Sequence, residues 1–217
     1  MNNLWNKIIY KIGSPVYDRF FNSGSFLKAR KQVFQNISLG PDQKILFVGV
    51  GTGADLEVID HTRLDVTAID YSPDMLAKAR KKFKNSTISF IEMDAQQLSF
   101  QKESFDLVIA SLILSVVPDA DQCLSEMKRV LKQEGKIIIF DKFAPVNKQL
   151  SLLKKLLRPL ISVLGTDIGR NFEELYSSHK EGLYIEEDSP VMWNGMYRKI
   201  IIRSIPQTQY EEKADSF

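Results

Sequence analysis

Ile45-Leu-Phe-Val-Gly-Val-Gly-Thr-Gly53 is the most informative stretch of the 217-residue chain. Four apolar residues run without interruption into Gly49, Gly51 and Gly53. A short apolar run closed by glycine predicts a buried strand that ends in a tight turn. Glycine adopts positive φ and lets a ligand approach the bare main chain, and a helical turn that follows adds partial positive charge. A strand-to-helix turn with no ligand would use the same glycines, so the flanking sequence has to discriminate.

The pattern repeats on either side. Asp65–Asp70, Thr87–Glu92, Phe105–Ala110 and Lys136–Phe140 are further short apolar runs, rich in β-branched and aromatic residues. Helical patterns separate them. Ala54–His61 follows the glycines, and Pro73–Phe83 has Ser72 as its N-cap and proline at its first position. Asp119–Leu131 places Cys123, Leu124, Met127, Val130 and Leu131 on one face. Strands alternating with helices predict an α/β fold, a parallel sheet covered on both faces.

The flanks read differently. Residues 1–37 suggest two helices broken at Gly13-Ser14-Pro15, and residues 147–164 an amphipathic helix interrupted at Pro159. Gly195–Ser204 alternates like a strand and pairs with Leu183–Glu187 as a hairpin. The expectation is one domain over 1–217: an N-terminal helical cap (1–37), a core (40–140), a helical insertion (141–182) and a closing hairpin (183–204).

Composition narrows the class. A chain 44% hydrophobic and 26% charged is neither disordered nor fibrous, and the single Cys123 excludes an internal disulfide. The net charge of +2 gives no sign of a nucleic-acid partner. No run reaches the roughly 18 apolar residues of a membrane span. Lys7, Lys11, Asp18 and Arg19 interrupt the start, which predicts no signal peptide and a cytoplasmic location. Charge is unevenly spread: residues 1–33 hold six basic residues against Asp18, and residues 142–170 hold six against Asp167, each a net +5. Both segments are rich in apolar residues, so peripheral contact with an anionic membrane is an expected partnership.

Strand ends of a parallel sheet gather on one edge, so Gly51, Asp70 and Asp94 should line one crevice. Asp70, 17 residues beyond Gly53, can accept both hydroxyls of a ribose. Asp94, with a neighbouring main-chain N–H, can read the edge of an adenine. Gly49-x-Gly51-x-x-Ala54 also fits a nicotinamide dinucleotide loop. His61 and His179 belong to no His/Cys/carboxylate cluster, so no metal is predicted.

Val-Gly-Val-Gly-Thr-Gly53, Ile-Asp-Tyr-Ser-Pro-Asp-Met-Leu76, Met-Asp-Ala95, Phe-Asp-Leu-Val108, Val-Pro-Asp119 and Leu-Lys-Gln-Glu-Gly-Lys136 occur in this order. Together they resemble the motifs of class I S-adenosylmethionine-dependent methyltransferases over about residues 40–140. The resemblance implies a Rossmann-like seven-stranded, mostly parallel sheet with an antiparallel C-terminal strand, and S-adenosyl-L-methionine as cofactor. It places Gly49, Val50, Gly51, Thr52 and Gly53 around the methionine half and Asp70 on the ribose. Tyr71 and Met75 would lie against the adenine, Asp94 and Ala95 at its edge, and Ser111 under the reactive end. One position departs from the pattern: Phe47 stands where the family usually has an acid, and Asp55 is the nearby residue that could take its place.

Shorter stretches, Tyr17-Asp-Arg-Phe20, Phe-Asp-Lys-Phe143 and Leu156–Gly165, resemble bacterial phosphatidylethanolamine N-methyltransferases. The first of them is similar also to the ubiquinone/menaquinone C-methyltransferases. They suggest Tyr17 over the active site and Lys142 or Arg158 on a lipid phosphate. Ser115 and Val116 occupy the place of paired histidines in many relatives, which removes a base and favours an amine acceptor. The expected activity is methyl transfer to a small molecule or lipid, with a phospholipid headgroup amine preferred. Quinone-precursor C-methylation, an NAD-dependent oxidoreductase and a non-catalytic cofactor-binding scaffold are the alternatives. The sequence carries no reading of the oligomeric state.

Overall fold

The computed structural model describes residues 23–144 and 169–206. Its strands are β1 (Lys44–Val48), β2 (Asp65–Asp70), β3 (Ser89–Glu92), β4 (Phe105–Ser111), β5 (Leu131–Lys142), β6 (Leu183–Met192) and β7 (Tyr197–Ser204). Its helices are α1 (Gly24–Phe34), α2 (Pro73–Lys82), α3 (Ala120–Val130) and α4 (Phe172–Ser177). The strands form one sheet in the order β3-β2-β1-β4-β5-β7-β6. β1 to β5 pair in parallel, while β7 runs antiparallel to both β5 and β6. This is the seven-stranded arrangement that the motifs imply.

Alternation along the strands divides the core into two layers. Leu46 and Val48 share one with Cys123, Leu124, Met127 and Val130 of α3, and with Phe172 of α4. Ile45 and Phe47 share the other with Phe26, Ala29, Val33 and Phe34 of α1, and with Leu76 of α2. Successive strand side chains point to opposite faces, so an almost wholly apolar strand needs helices on both. Ser72 caps α2 as expected, its Oγ accepting the Met75 N–H, and the structure adds a cap on α3, where the Asp119 side chain accepts the Gln122 N–H.

The first crossover differs from the expected helix over Ala54–His61. It is a three-residue 3-10 turn, Leu56–Val58. The β-branched pair Val58 and Ile59 disfavours helix, and Asp60 Oδ1 then accepts both the N–H and the hydroxyl of Thr62, closing a turn. Leu56 is buried all the same. Two strands are longer than the sequence suggests. β5 begins at Leu131 and absorbs a register shift before Lys136, and β6 continues to Met192.

The β6–β7 turn brings Trp193 edge-on to Phe26, with ring centroids 5.7 Å apart. Since Tyr197 of β7 pairs with Lys142 at the end of β5, this turn and the start of α1 lie at the edge where β1, β2, β4 and β5 end. No helix among the described residues is long and apolar enough to cross a membrane. The first helix read from residues 1–37 and the amphipathic helix at 147–164 lie outside the described residues.

Candidate cofactor site and its flanking loop

The glycine loop leaves β1 with Gly49, Gly51 and Gly53 all at positive φ. At Gly49 a Cβ would sit 2.8 Å from Ile113 Cδ1, so this glycine serves close packing. Gly51 differs: its φ is +56° and a Cβ there would meet nothing within 4 Å. An open α-carbon at the strand edge is the surface that a ligand needs. The Val50 and Thr52 side chains are buried, so the loop presents main chain rather than side chains.

Asp70, the last residue of β2, reaches this loop. Its Oδ2 accepts the Gly51 N–H at 2.8 Å, and its Oδ1 accepts the Ser72 N–H at 2.8 Å. Burial holds the carboxyl above the usual aspartate range, with the two N–H bonds opposing that shift. Tyr71 follows at the rim, 39% exposed, and Met75 is buried in the first turn of α2. Asp94 lies just after β3, whose exit is tied to β2 by the Met93 N–H donating to the Asp70 carbonyl at 3.1 Å. Ala95 is buried beside it. The ends of β1, β2 and β3, which carry or precede Gly51, Asp70 and Asp94, therefore lie together at one edge of the sheet.

Ser111 closes β4 at the same edge. It is only 7% exposed, and its Oγ has no hydrogen-bond partner among the described residues. A buried orphan hydroxyl at a strand end is uncommon and signals an interaction that the described residues do not complete.

Three residues escaped the sequence reading. Gln96 donates from Nε2 to Asp94 at 3.0 Å and accepts the Asp119 N–H at 2.8 Å, bridging the β3 exit to the N-cap of α3. Asp141 is fully buried, and burial raises its carboxyl above the ordinary range. It accepts the main-chain N–H groups of Ser115 at 3.0 Å and Lys142 at 2.7 Å. Arg170 donates to the carbonyls of Leu114, Val117 and Pro118. The one sequence signal for Asp141 is a carboxylate that closes a continuous apolar strand.

Phe47 is buried in the layer shared with α1. Asp55 does not stand in for the missing acid as a lone charge. It forms an ion pair with Arg30 Nε at 2.7 Å, the two side chains being 7% and 6% exposed. Lys142 is half-buried at the end of β5. Tyr17 and Arg158 lie outside the described residues.

Acceptors at two strand ends, an open main-chain loop and an orphan hydroxyl suit a nucleoside carrying an amino acid. Similarity to known proteins agrees. A family model described as a methyltransferase domain matches residues 46–139. A phosphatidylethanolamine N-methyltransferase of Cereibacter sphaeroides is 34% identical over 158 residues, 71% of this chain and 76% of that one. The chain belongs to the S-adenosylmethionine-dependent methyltransferases. A demethylmenaquinone methyltransferase of Renibacterium salmoninarum is also 34% identical, over 129 residues, so this methyltransferase spans only 54% of that relative's length. The fold matches a candidate methyltransferase from Bacillus halodurans C-125 at a TM-score of 0.69 and 18% identity, over 84% of this chain and 100% of that one. Its methyl donor is S-adenosylmethionine, which sets aside the nicotinamide reading of the loop.

Proposed function

We propose that this methyltransferase acts on the amine of a phospholipid headgroup. The observation that carries the reading is the polypeptide after β4. Ser115 and Val116 stand there without a titratable side chain, and the neighbouring Asp141 is sealed and committed to main-chain N–H groups. Once the headgroup ammonium has released a proton to water, the neutral amine attacks through its own lone pair, whereas a ring carbon or hydroxyl usually needs a positioned base for proton removal. The phosphatidylethanolamine N-methyltransferase, matched over 76% of its length, supports the same choice.

When bound, S-adenosylmethionine supplies a methyl group already activated on a sulfonium. The chain's task is to position and to exclude water. In this proposal the main chain from Gly49 to Gly53 lies along the methionine half, and Asp70 accepts the ribose hydroxyls. Tyr71 and Met75 flank the adenine, Asp94 and Ala95 read its edge, and the Ser111 hydroxyl faces the reactive end. Tyr17 covers the site, and Lys142 and Arg158 hold the lipid phosphate at an anionic membrane surface.

The test is methyl transfer from labelled S-adenosylmethionine to phosphatidylethanolamine in mixed micelles and, separately, to demethylmenaquinone. Label in monomethylated phospholipid is the expected result. Label in the quinone alone would replace this reading with C-methylation, and transfer to either acceptor would dispose of the scaffold alternative.

Asp70 adds a pH prediction. Its carboxyl is pushed up by burial, and only the ionised form accepts both hydroxyls without donating a proton of its own. S-adenosylhomocysteine affinity should therefore fall as pH drops through that raised pKa, beginning above the range of an ordinary aspartate near 3.9. Calorimetry from about pH 8 down to about pH 4 checks this, with Asp70→Asn expected to flatten the profile. A parent profile already flat over that window would contradict it.

A further inference from the structure

The polypeptide from Leu112 to Pro118 links β4 to α3 and is held from two sides by charges that the methyl-transfer chemistry does not use. Leu112 sits at φ +56°, and the N–H groups of Val116 and Val117 both donate to the Ile113 carbonyl, winding the segment into a tight turn. On one side this turn presses on the cofactor loop, where Ile113 occupies the space that a Gly49 Cβ would need. On the other, Asp141 takes the Ser115 N–H, and Arg170 donates to Leu114 and, at 2.8 and 3.1 Å, to Val117 and Pro118. Arg170 is itself fixed to the end of β5, because its carbonyl accepts the Ala144 N–H at 2.7 Å.

We infer that Arg170 is a positioning residue for methyl transfer: by gathering the carbonyls of Leu114, Val117 and Pro118, it sets the Leu112–Pro118 turn against Gly49 at the reactive end of the cofactor site. A guanidinium suits this work because its rigid fork of donors can satisfy several carbonyls at once, whereas an ammonium acts as a point charge. The turn follows directly on Ser111, so a displacement here changes the alignment of the reacting atoms. The residues assigned to ribose and adenine, on β2 and after β3, remain in place. This inference needs methyl transfer but not any particular acceptor.

Arg129 offers an internal control. It makes the same kind of clamp at the opposite end of α3, donating to the carbonyls of Leu98 and Phe100 at 2.7 Å and to Glu126. The experiment compares Arg170→Ala, Arg170→Lys and Arg129→Ala in the full chain. Arg170→Ala should lower kcat about 10- to 100-fold, the scale of a misplacement of about 1 Å, and leave S-adenosylhomocysteine Kd within about threefold. Arg170→Lys should recover part of kcat. Arg129→Ala should lower Tm and leave kcat within about twofold.

Hydrogen exchange of the peptide covering residues 112–119, measured without any acceptor, should accelerate in Arg170→Ala and not in Arg129→Ala. If alanine prevents folding, Arg170→Gln keeps an amide donor and carries the same expectations. Unchanged exchange in 112–119 would overturn the inference, as would equal losses of kcat in the Arg170 and Arg129 variants. Should phosphatidylethanolamine not be methylated by the parent, the acceptor assignment fails on its own and the exchange comparison decides the role of Arg170.

Discussion

Asp70→Ala is expected to weaken S-adenosylhomocysteine binding by about 1–3 kcal/mol, roughly 5- to 150-fold in Kd. Two losses combine. The ribose hydroxyls lose their acceptor, and the Gly51 and Ser72 N–H groups lose theirs, so the open segment of the glycine loop is no longer pinned to the end of β2. Thermal stability should move much less. Because burial raises the Asp70 carboxyl above its unfolded value, the folded chain binds its proton more readily. Its ionisation therefore costs stability as pH rises through the raised pKa, and the cost is complete above it. Alanine removes that cost while it removes two hydrogen bonds, so the two changes offset each other. Calorimetry for Kd beside a melting curve for Tm separates binding from folding. A Kd within twofold of the parent would take Asp70 out of the site.

The fold was legible because its signals are local. An apolar run such as Ile45–Val48 is buried on both faces whatever surrounds it, and glycines in alternation force a turn. Ser72-Pro73 marks a helix start by its own chemistry. The crossover after Gly53 was misread because Ala54–His61 contains enough apolar residues for a helix, while the Asp60–Thr62 turn that cuts it short competes for the same main chain. Candidate ligand-facing residues at strand ends were legible for a related reason: in a parallel sheet, topology alone brings Gly51, Asp70 and Asp94 to one edge. Gln96, Asp141 and Arg170 were not. Each acts on main chain far away in sequence, 23 residues for Gln96 on Asp119 and 53 for Arg170 on Val117. Apart from the apolar strand that Asp141 closes, nothing in their immediate neighbours announces such a bond.

Breaking the Arg30–Asp55 pair from the arginine side should give the largest loss of stability among these substitutions, about 3–5 kcal/mol, because removing Arg30 leaves the Asp55 carboxylate sealed without its ion-pair partner. At about 2–4 °C per kcal/mol for a chain of this size, Arg30→Met should lower Tm by roughly 6–20 °C. The cause is positional. Arg30 projects from α1 and Asp55 stands just past Gly53, so the pair clamps the helix over the exit of the glycine loop. Phe47 belongs to the same arrangement, since it fills the layer beneath α1 with Phe26, Ala29 and Val33. A carboxylate at position 47 would be directed into that apolar layer, and Phe47→Asp is expected to destabilise rather than to restore a cofactor contact. A double replacement, Arg30→Met with Asp55→Leu, should recover much of the loss, since an apolar pair of similar volume carries no desolvation penalty. The two single variants and the double variant form a cycle that isolates the coupling. Asp55→Asn, measured well below its Tm, should leave S-adenosylhomocysteine Kd within about threefold, because a carboxylate already neutralised by Arg30 has little charge left for the methionine ammonium. A collapse of affinity in a fully folded Asp55→Asn protein would return Asp55 to the cofactor site, and single variants that melt within about 2 °C of the parent would show that the clamp is not needed.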